Sequence, residues 1–191
     1  MKYYPLTPDY FLSDDVVAIA RSLIGKHLFS TIGGELTGGR IIETEAYRGP
    51  DDRACHAFGG RRTKRTEVMF HEGGVAYVYL CYGIHPLLNV VTGPKDHPHA
   101  VLIRALKPTH GLEIMRNRRG NKENLCRGPG VLTQALGITL EHNGLPLCAP
   151  PLWVEERETN DLVIQSSPRI GVDYAGEDAL LPWRFFTCLS H

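Results

Sequence analysis

The sequence predicts an α+β protein: one compact domain on a curved, mostly antiparallel sheet flanked by helices. Three observations lead there. A chain of 191 residues suits a single domain. Short segments rich in β-formers outnumber the helical stretches. The two kinds follow one another irregularly, without the strand–helix alternation that builds a parallel sheet. No repeat, low-complexity tract or linker divides the chain, so one domain is expected over 1–191, with 1–12 as a leader draped over the surface.

Each element has its own justification. Ser13 can cap a helix whose first turn holds Asp14 and Asp15, favourable at the positive end of the helix dipole. Val16, Val17, Ala20, Leu23 and Ile24 give that helix an apolar face, and Gly25 is placed to end it. Residues 27–31 read as a strand, Gly33-Gly34 as a turn, and 40–47 as a second strand. In that strand Ile41, Glu43, Glu45 and Tyr47 alternate with Ile42, Thr44 and Ala46, which puts both glutamates on one face beside Tyr47. Residues 48–66 form a long loop, a feature often kept for function. Strands follow at 75–82, 87–92 and 100–106, with a turn at Tyr82-Gly83. Pro108 precedes a helix at 109–118, Gly128-Pro129-Gly130 leads into another at 131–136, and 146–151 is loop. Short strands are expected at 152–155, 161–166 and 183–188.

Composition excludes several classes. No apolar run approaches the roughly 20 residues that span a bilayer, so no membrane partner is expected. The N-terminus has no apolar signal core, which points to a cytoplasmic protein. The five cysteines form no C-x-x-C pair, so neither a disulfide framework nor a zinc site is indicated. With 21 basic and 21 acidic residues the net charge is zero, which alone argues against nucleic-acid binding. The distribution softens that objection. Residues 61–65 hold four basic groups and no acidic one, and only the local field matters to a phosphate.

The chemistry concentrates in residues 40–92. Glu43 and Glu45 lie beside Tyr47, His56 follows in the loop, then Arg61, Arg62, Lys64 and Arg65, then Tyr77, Tyr79 and Tyr82. Aromatic faces, a carboxylate and a run of cations suit a flat group that is stacked and an anionic backbone that is held, as in nucleobases and phosphates. Taken singly these residues have plainer readings. Glu45 is a salt-bridged strand glutamate, the tyrosines are half-buried core, and the basic run is a solvated face. Two rivals share the carboxylates or the cations: a small-substrate nucleoside or sugar hydrolase using Glu43 and Glu45, and a non-catalytic binder of damaged DNA.

The segments RIIETEAYRGPDDRACHAFGGRRTKRTEVMF, VAYVYLCYGIHPLLNVVTG and AVLIRALKP resemble the alkyladenine (3-methyladenine, methylpurine) DNA glycosylase family, as do LCRGPGVLTQALGI and, more weakly, RIGVDYAGEDALLPWRFF. The resemblance runs from about Leu23 onward and implies a compact mixed α/β fold. It makes Glu45 the general base for N-glycosidic hydrolysis and Arg104 its partner in holding the attacking water, with the backbone carbonyl of Ile170 beside them. Glu43 becomes a supporting charge. Tyr47, His56 and Tyr79 become the walls of a base pocket, and Asn89 the residue that disfavours purines with a 2-amino group. Tyr82 becomes the wedge that enters the duplex, Met69 lines the DNA side, and Arg61, Arg62, Lys64 and Arg65 contact phosphates. His85 stands where some relatives carry an aromatic residue after the wedge. The implied partner is double-stranded DNA containing damaged purines: 3-methyladenine, 7-methylguanine, hypoxanthine or ethenoadenine. A monomer is implied, working on the bacterial nucleoid in the cytoplasm, with no metal or organic cofactor and no lyase step.

Overall fold

The computed structural model describes residues 4–157 and 162–187. Among them are nine strands: β1 (His27–Ser30), β2 (Thr37–Arg48), β3 (Ala76–Cys81), β4 (His85–Thr92), β5 (His99–His110), β6 (Cys148–Ala149), β7 (Leu152–Glu155), β8 (Ile164–Ser167) and β9 (Arg184–Thr187). The helices are α1 (Val16–Ser22), α2 (Leu112–Arg118) and α3 (Pro129–Leu136). The strands form one sheet in the order β3-β4-β5-β2-β1-β7-β6, with β9 on β2 and β8 on β9. Every described pairing is antiparallel. The fold is the single α+β domain that the irregular element order predicts.

β2 organises the sheet. Along one edge it pairs with β5 from Gly38 to Arg48. Along the other, residues 37–40 pair with β1 and residues 43–45 with β9. The changeover falls at a bulge between Ile41 and Glu43. A bulge inserts a residue and bends the strand, so the two halves of β2 belong to differently inclined parts of a curled sheet.

The bulge also corrects the predicted alternation. Ile41 does not share the glutamate face: it is fully buried in the main core with Ala46, while the Thr44 hydroxyl donates to the carbonyl of Ala20 in α1. Glu43, Glu45 and Tyr47 point the other way. One extra residue thus reverses the period-two pattern midway along a strand.

Other boundaries differ for local reasons. α1 is capped by Asp15, whose carboxylate accepts from the N–H of Ala18, while Ser13 only accepts from the N–H of Asp15. β5 runs through Pro108 to His110, because a Cβ at Gly39 would lie 2.4 Å from the carbonyl oxygen of Lys107. Only glycine allows that close approach. The helix expected from 109 therefore starts at Leu112. The loop expected at 146–151 includes the short strand β6. The strand expected at 161–166 is ordered as β8, and Asp161 lies outside the described residues, as does Cys188 at the end of the strand expected at 183–188. The leader is not merely draped: Leu6 and Phe11 are buried, and the N–H of Leu6 donates to Val154.

The main core lies between α1, α3 and the concave sheet. A second cluster joins Cys55, Ala57, Met69 and Phe70 of the long loop to Tyr77, Val91 and Ala100 on the strands. That small core explains how a loop of this length is held in place.

Candidate active site

Two carboxylates and one guanidinium sit on adjacent strands. Register places Glu45 opposite Leu102 and Glu43 opposite Ala105, so Arg104 of β5 reaches both. Its Nε donates to Glu43 at 2.9 Å and its Nη1 to Glu45 Oε2 at 3.2 Å. Arg184 of β9 adds a 2.6 Å bond to the same Glu43 oxygen. Glu43 is therefore shared by two arginines, while Glu45 has a different environment.

Glu45 is completely buried and accepts three bonds. Besides Arg104, the Tyr47 hydroxyl donates to Oε2 at 2.8 Å and the backbone N–H of Ile170 donates to Oε1 at 2.8 Å. Burial, and after it the Glu45 charge, push the Tyr47 phenol well above its usual range, which keeps it a donor. Burial alone would lower the Arg104 pKa, but the Glu45 and Glu43 charges outweigh it and raise it. The group of Ile170 that meets Glu45 is its N–H.

Beside this cluster opens a cavity of about 570 Å³. Tyr47, Arg104 and Ile170 line it, and Glu45 lies one layer behind them. Tyr77 and Tyr79, two apart on β3, are stacked with centroids 5.4 Å apart at 30°. His56 meets Tyr79 edge-on at 4.6 Å and 80°. Its Nε2 is 3.2 Å from Arg65 Nη2, and its Nδ1 is 3.0 Å from the Tyr77 hydroxyl. A guanidinium only donates, so Nε2 accepts and Nδ1 carries the proton. Burial, helped by Arg65, lowers the His56 pKa to about 4, so the ring is neutral at pH 7. Asn89 is nearly buried on the cavity wall, with its side-chain amide donating to the Tyr77 carbonyl at 3.1 Å. The site presents flat faces, a neutral imidazole and an amide, with a buried ion pair behind one wall.

At the mouth stands Tyr82, 91% exposed and at φ 50 in the β3–β4 turn. A tyrosine in the left-handed region is strained, and an exposed one has no packing to offset the strain. Ile84 beside it is 68% exposed.

The predicted basic run divides in two. Arg62 is occupied by Glu67 and Asp96, at 2.7 and 2.9 Å, and lies over the Phe70 ring, which makes it a loop clamp. Arg65 lies over the Tyr79 ring and reaches the cavity. Arg61 and Lys64 are exposed. Arg53, Arg61 and Arg65 line a second cavity of about 350 Å³ that shares His56 with the first. Met69, expected on the DNA side, is 1% exposed and forms part of the cavity wall and the loop core, so it presents no outer surface.

Tyr77, named in the sequence beside Tyr79, proves to be the partner of His56 in the cavity, a role the sequence did not assign. One feature escaped sequence reasoning. The buried pair of Arg169 with Asp52 beneath Tyr47 had no local signal, because its members lie far apart in the chain.

The chain matches the family model for methylpurine-DNA glycosylase over residues 10–190. It is 50% identical over 184 residues to a Chlamydia felis protein, covering 94% of each chain. It is 50% identical to one from Chlamydia pneumoniae, covering 94% of this chain and 93% of the other. A Bacillus cereus protein is 45% identical over 192 residues, with 94% of each covered. All three are named as candidate 3-methyladenine DNA glycosylases. The chain belongs to the methylpurine-DNA glycosylase family, DNA-repair hydrolases that act on the N-glycosidic bonds of their DNA substrate.

Proposed function

We propose that this member of the methylpurine-DNA glycosylase family is a monofunctional glycosylase that flips an alkylated or deaminated purine out of double-stranded DNA and hydrolyses its bond to the sugar. The observation that carries the reading is the contact of Tyr47 and Arg104 with Glu45. Both line the aromatic cavity, and both hold the Glu45 carboxylate buried behind its wall.

Tyr82 fills the gap left in the stack, and the flipped base enters between Tyr47, His56 and Tyr79. Base–aromatic stacking contributes about 1–3 kcal/mol. A damaged base pairs poorly and flips at less cost, which is part of the selectivity. Asn89, fixed by Tyr77, disfavours a 2-amino group by crowding.

As the C1′–N bond breaks, its electron pair stays with the base and positive charge develops on the sugar. The Glu45 carboxylate stabilises that charge. A water, held between Arg104 and Glu45, adds its oxygen to C1′ and gives its proton to Glu45. Water reaches the carboxylate when the contacts covering it part, and such bonds commonly rearrange on substrate binding. A purine methylated on a ring nitrogen is already cationic and leaves neutral. Hypoxanthine or ethenoadenine must gain a proton as it leaves, and the neutral His56 is a poor source of it. Among the described residues no lysine lines the cavity, which supports hydrolysis without a Schiff-base lyase step. The protein acts as a monomer in the cytoplasm.

The test is a labelled duplex with one hypoxanthine opposite thymine, and a second carrying 7-methylguanine, incubated with wild type and Glu45→Gln and then cleaved by alkali. Cleavage by wild type alone supports the proposal. Cleavage by both rejects Glu45 as base. Lesion binding without cleavage favours the non-catalytic binder, and hydrolysis of free nucleosides without DNA affinity favours the small-substrate hydrolase.

A further inference from the structure

Away from the cavity, three donor groups from separate segments converge. Asp14 lies just before α1, His97 lies in the loop between β4 and β5, and His99 opens β5. His97 Nδ1 is 2.7 Å and His99 Nε2 3.1 Å from the same Asp14 oxygen, and all three donor atoms lie within 4.8 Å of one another. The position is open on one side: the side chains of Asp14 and His97 are 60% and 49% exposed, while that of His99 is only 10% exposed. Gly93 lies against the cluster. A Cβ there would stand 3.4 Å from both histidines and 3.5 Å from the Asp14 oxygen. His99 precedes Arg104 by five residues of strand, about 17 Å at ~3.4 Å per residue, so the cluster is separate from the catalytic carboxylates.

We propose that Asp14, His97 and His99 bind a divalent transition-metal ion of the zinc class, with solvent completing the open side. Two imidazoles and a carboxylate suit Zn²⁺, Ni²⁺ or Cu²⁺ and not Mg²⁺ or Ca²⁺, which prefer all-oxygen shells. Metal–ligand distances near 2.0–2.2 Å in a tetrahedral site require donors about 3.4 Å apart. The 2.7 and 3.1 Å separations from Asp14 are shorter than that by several tenths of an ångström, and the half-exposed His97 can supply the adjustment. The Nδ1 of His99 is buried without a hydrogen-bond partner among the described residues, so no neighbour locks the tautomer and Nε2 can present a lone pair to the ion. Sequence reading found no metal site because it sought paired cysteines, and these ligands are joined only by the fold.

The ion is structural. It ties the segment before α1 to the β4–β5 loop, and that loop holds the clamp Arg62 through Asp96. Occupancy therefore tightens the basic loop without entering the reaction.

The test uses full-length, chelator-treated protein without a histidine tag. Zn²⁺ is titrated by calorimetry and Co²⁺ by visible absorption, into wild type, His97→Ala and Asp14→Asn. Both replaced side chains are about half exposed or more, so the fold survives. The expected result is one equivalent bound by wild type, unaffected by millimolar Mg²⁺ and at least tenfold weaker in each variant. Cobalt should show d–d bands without a thiolate charge-transfer band. Absence of binding overturns the proposal, as does undiminished affinity in either variant. A sulfur-to-cobalt band would assign the ion to cysteines and overturn it equally.

Discussion

Arg169 grips both oxygens of Asp52, at 2.5 and 2.8 Å, and both side chains are sealed from solvent. The same guanidinium donates to the Ala46 and Asp178 carbonyls at 2.9 and 3.0 Å and lies 4.8 Å over the Tyr47 ring. Asp52 in turn accepts from the backbone N–H groups of Arg48 and Ala54. One ion pair thus joins the end of β2, the loop that carries His56, and the turn that presents the Ile170 N–H to Glu45.

Breaking that pair leaves an uncompensated charge. Asp52→Asn should lower stability by about 3–5 kcal/mol. At about 2–4 °C per kcal/mol in a chain of this size, the melting temperature should fall by roughly 6–20 °C. Thermal unfolding measures it. A fall under 2 °C would show that the pair contributes little.

Glu45→Gln keeps the shape and removes the charge. Single-turnover excision should slow by about 10²–10⁴-fold, while binding of lesion DNA changes less than threefold. Glu43→Gln should slow excision less, since among the described residues the Glu43 carboxylate is held by two arginines, Arg104 and Arg184. Equal losses in the two variants would shift the role to the pair.

Burial lowers the pKa of both His56 and His27 to about 4, from a usual value near 6.5. His99 and His110 shift in the same direction, each chiefly through burial. Below pH 6.5 the unfolded chain takes up protons that the folded protein refuses until about pH 4. Stability is therefore flat above about pH 6.5 and falls as pH drops below it, by up to about 2 kcal/mol per deeply shifted group at pH 5. Denaturant unfolding from pH 8 to pH 5 checks the slope. His56→Gln should remove the His56 share and leave the rest.

Tyr82 is exposed and strained, so stability and function should part there. Tyr82→Gly relieves a left-handed tyrosine and should change stability by no more than about +1 kcal/mol. It should nevertheless weaken lesion binding and slow excision at least tenfold. Unfolding and excision assays on the same variant decide. A large loss of stability would show that the ring packs.

The sequence revealed the elements better than their limits. Carboxylate spacing on β2, the tyrosines of β3 and the punctuation at Tyr82-Gly83 were visible because they are local patterns. The bulge at Ile42 was not, since nothing in RIIETEAY marks one extra residue, and the reversal of Ile41 followed from it. The strand through Pro108 was hidden because its continuation depends on Gly39 in another strand. The burial of Met69 was hidden because the small core beneath the loop forms only from tertiary contacts. The Arg169–Asp52 pair joins residues 117 apart in the chain, a distance no local pattern spans.

The division of β2 between β1 and β9 has a consequence for synthesis on the ribosome. Glu43 receives Arg184 from 141 residues downstream, and Glu45 receives the Ile170 N–H from 125 residues downstream. The carboxylates emerge well before the groups that complete their surroundings. A nascent chain thus carries the residues of the site for most of translation without the site itself. Truncation within the last strand would leave most of the sheet and the aromatic cavity, with Glu43 short of an arginine.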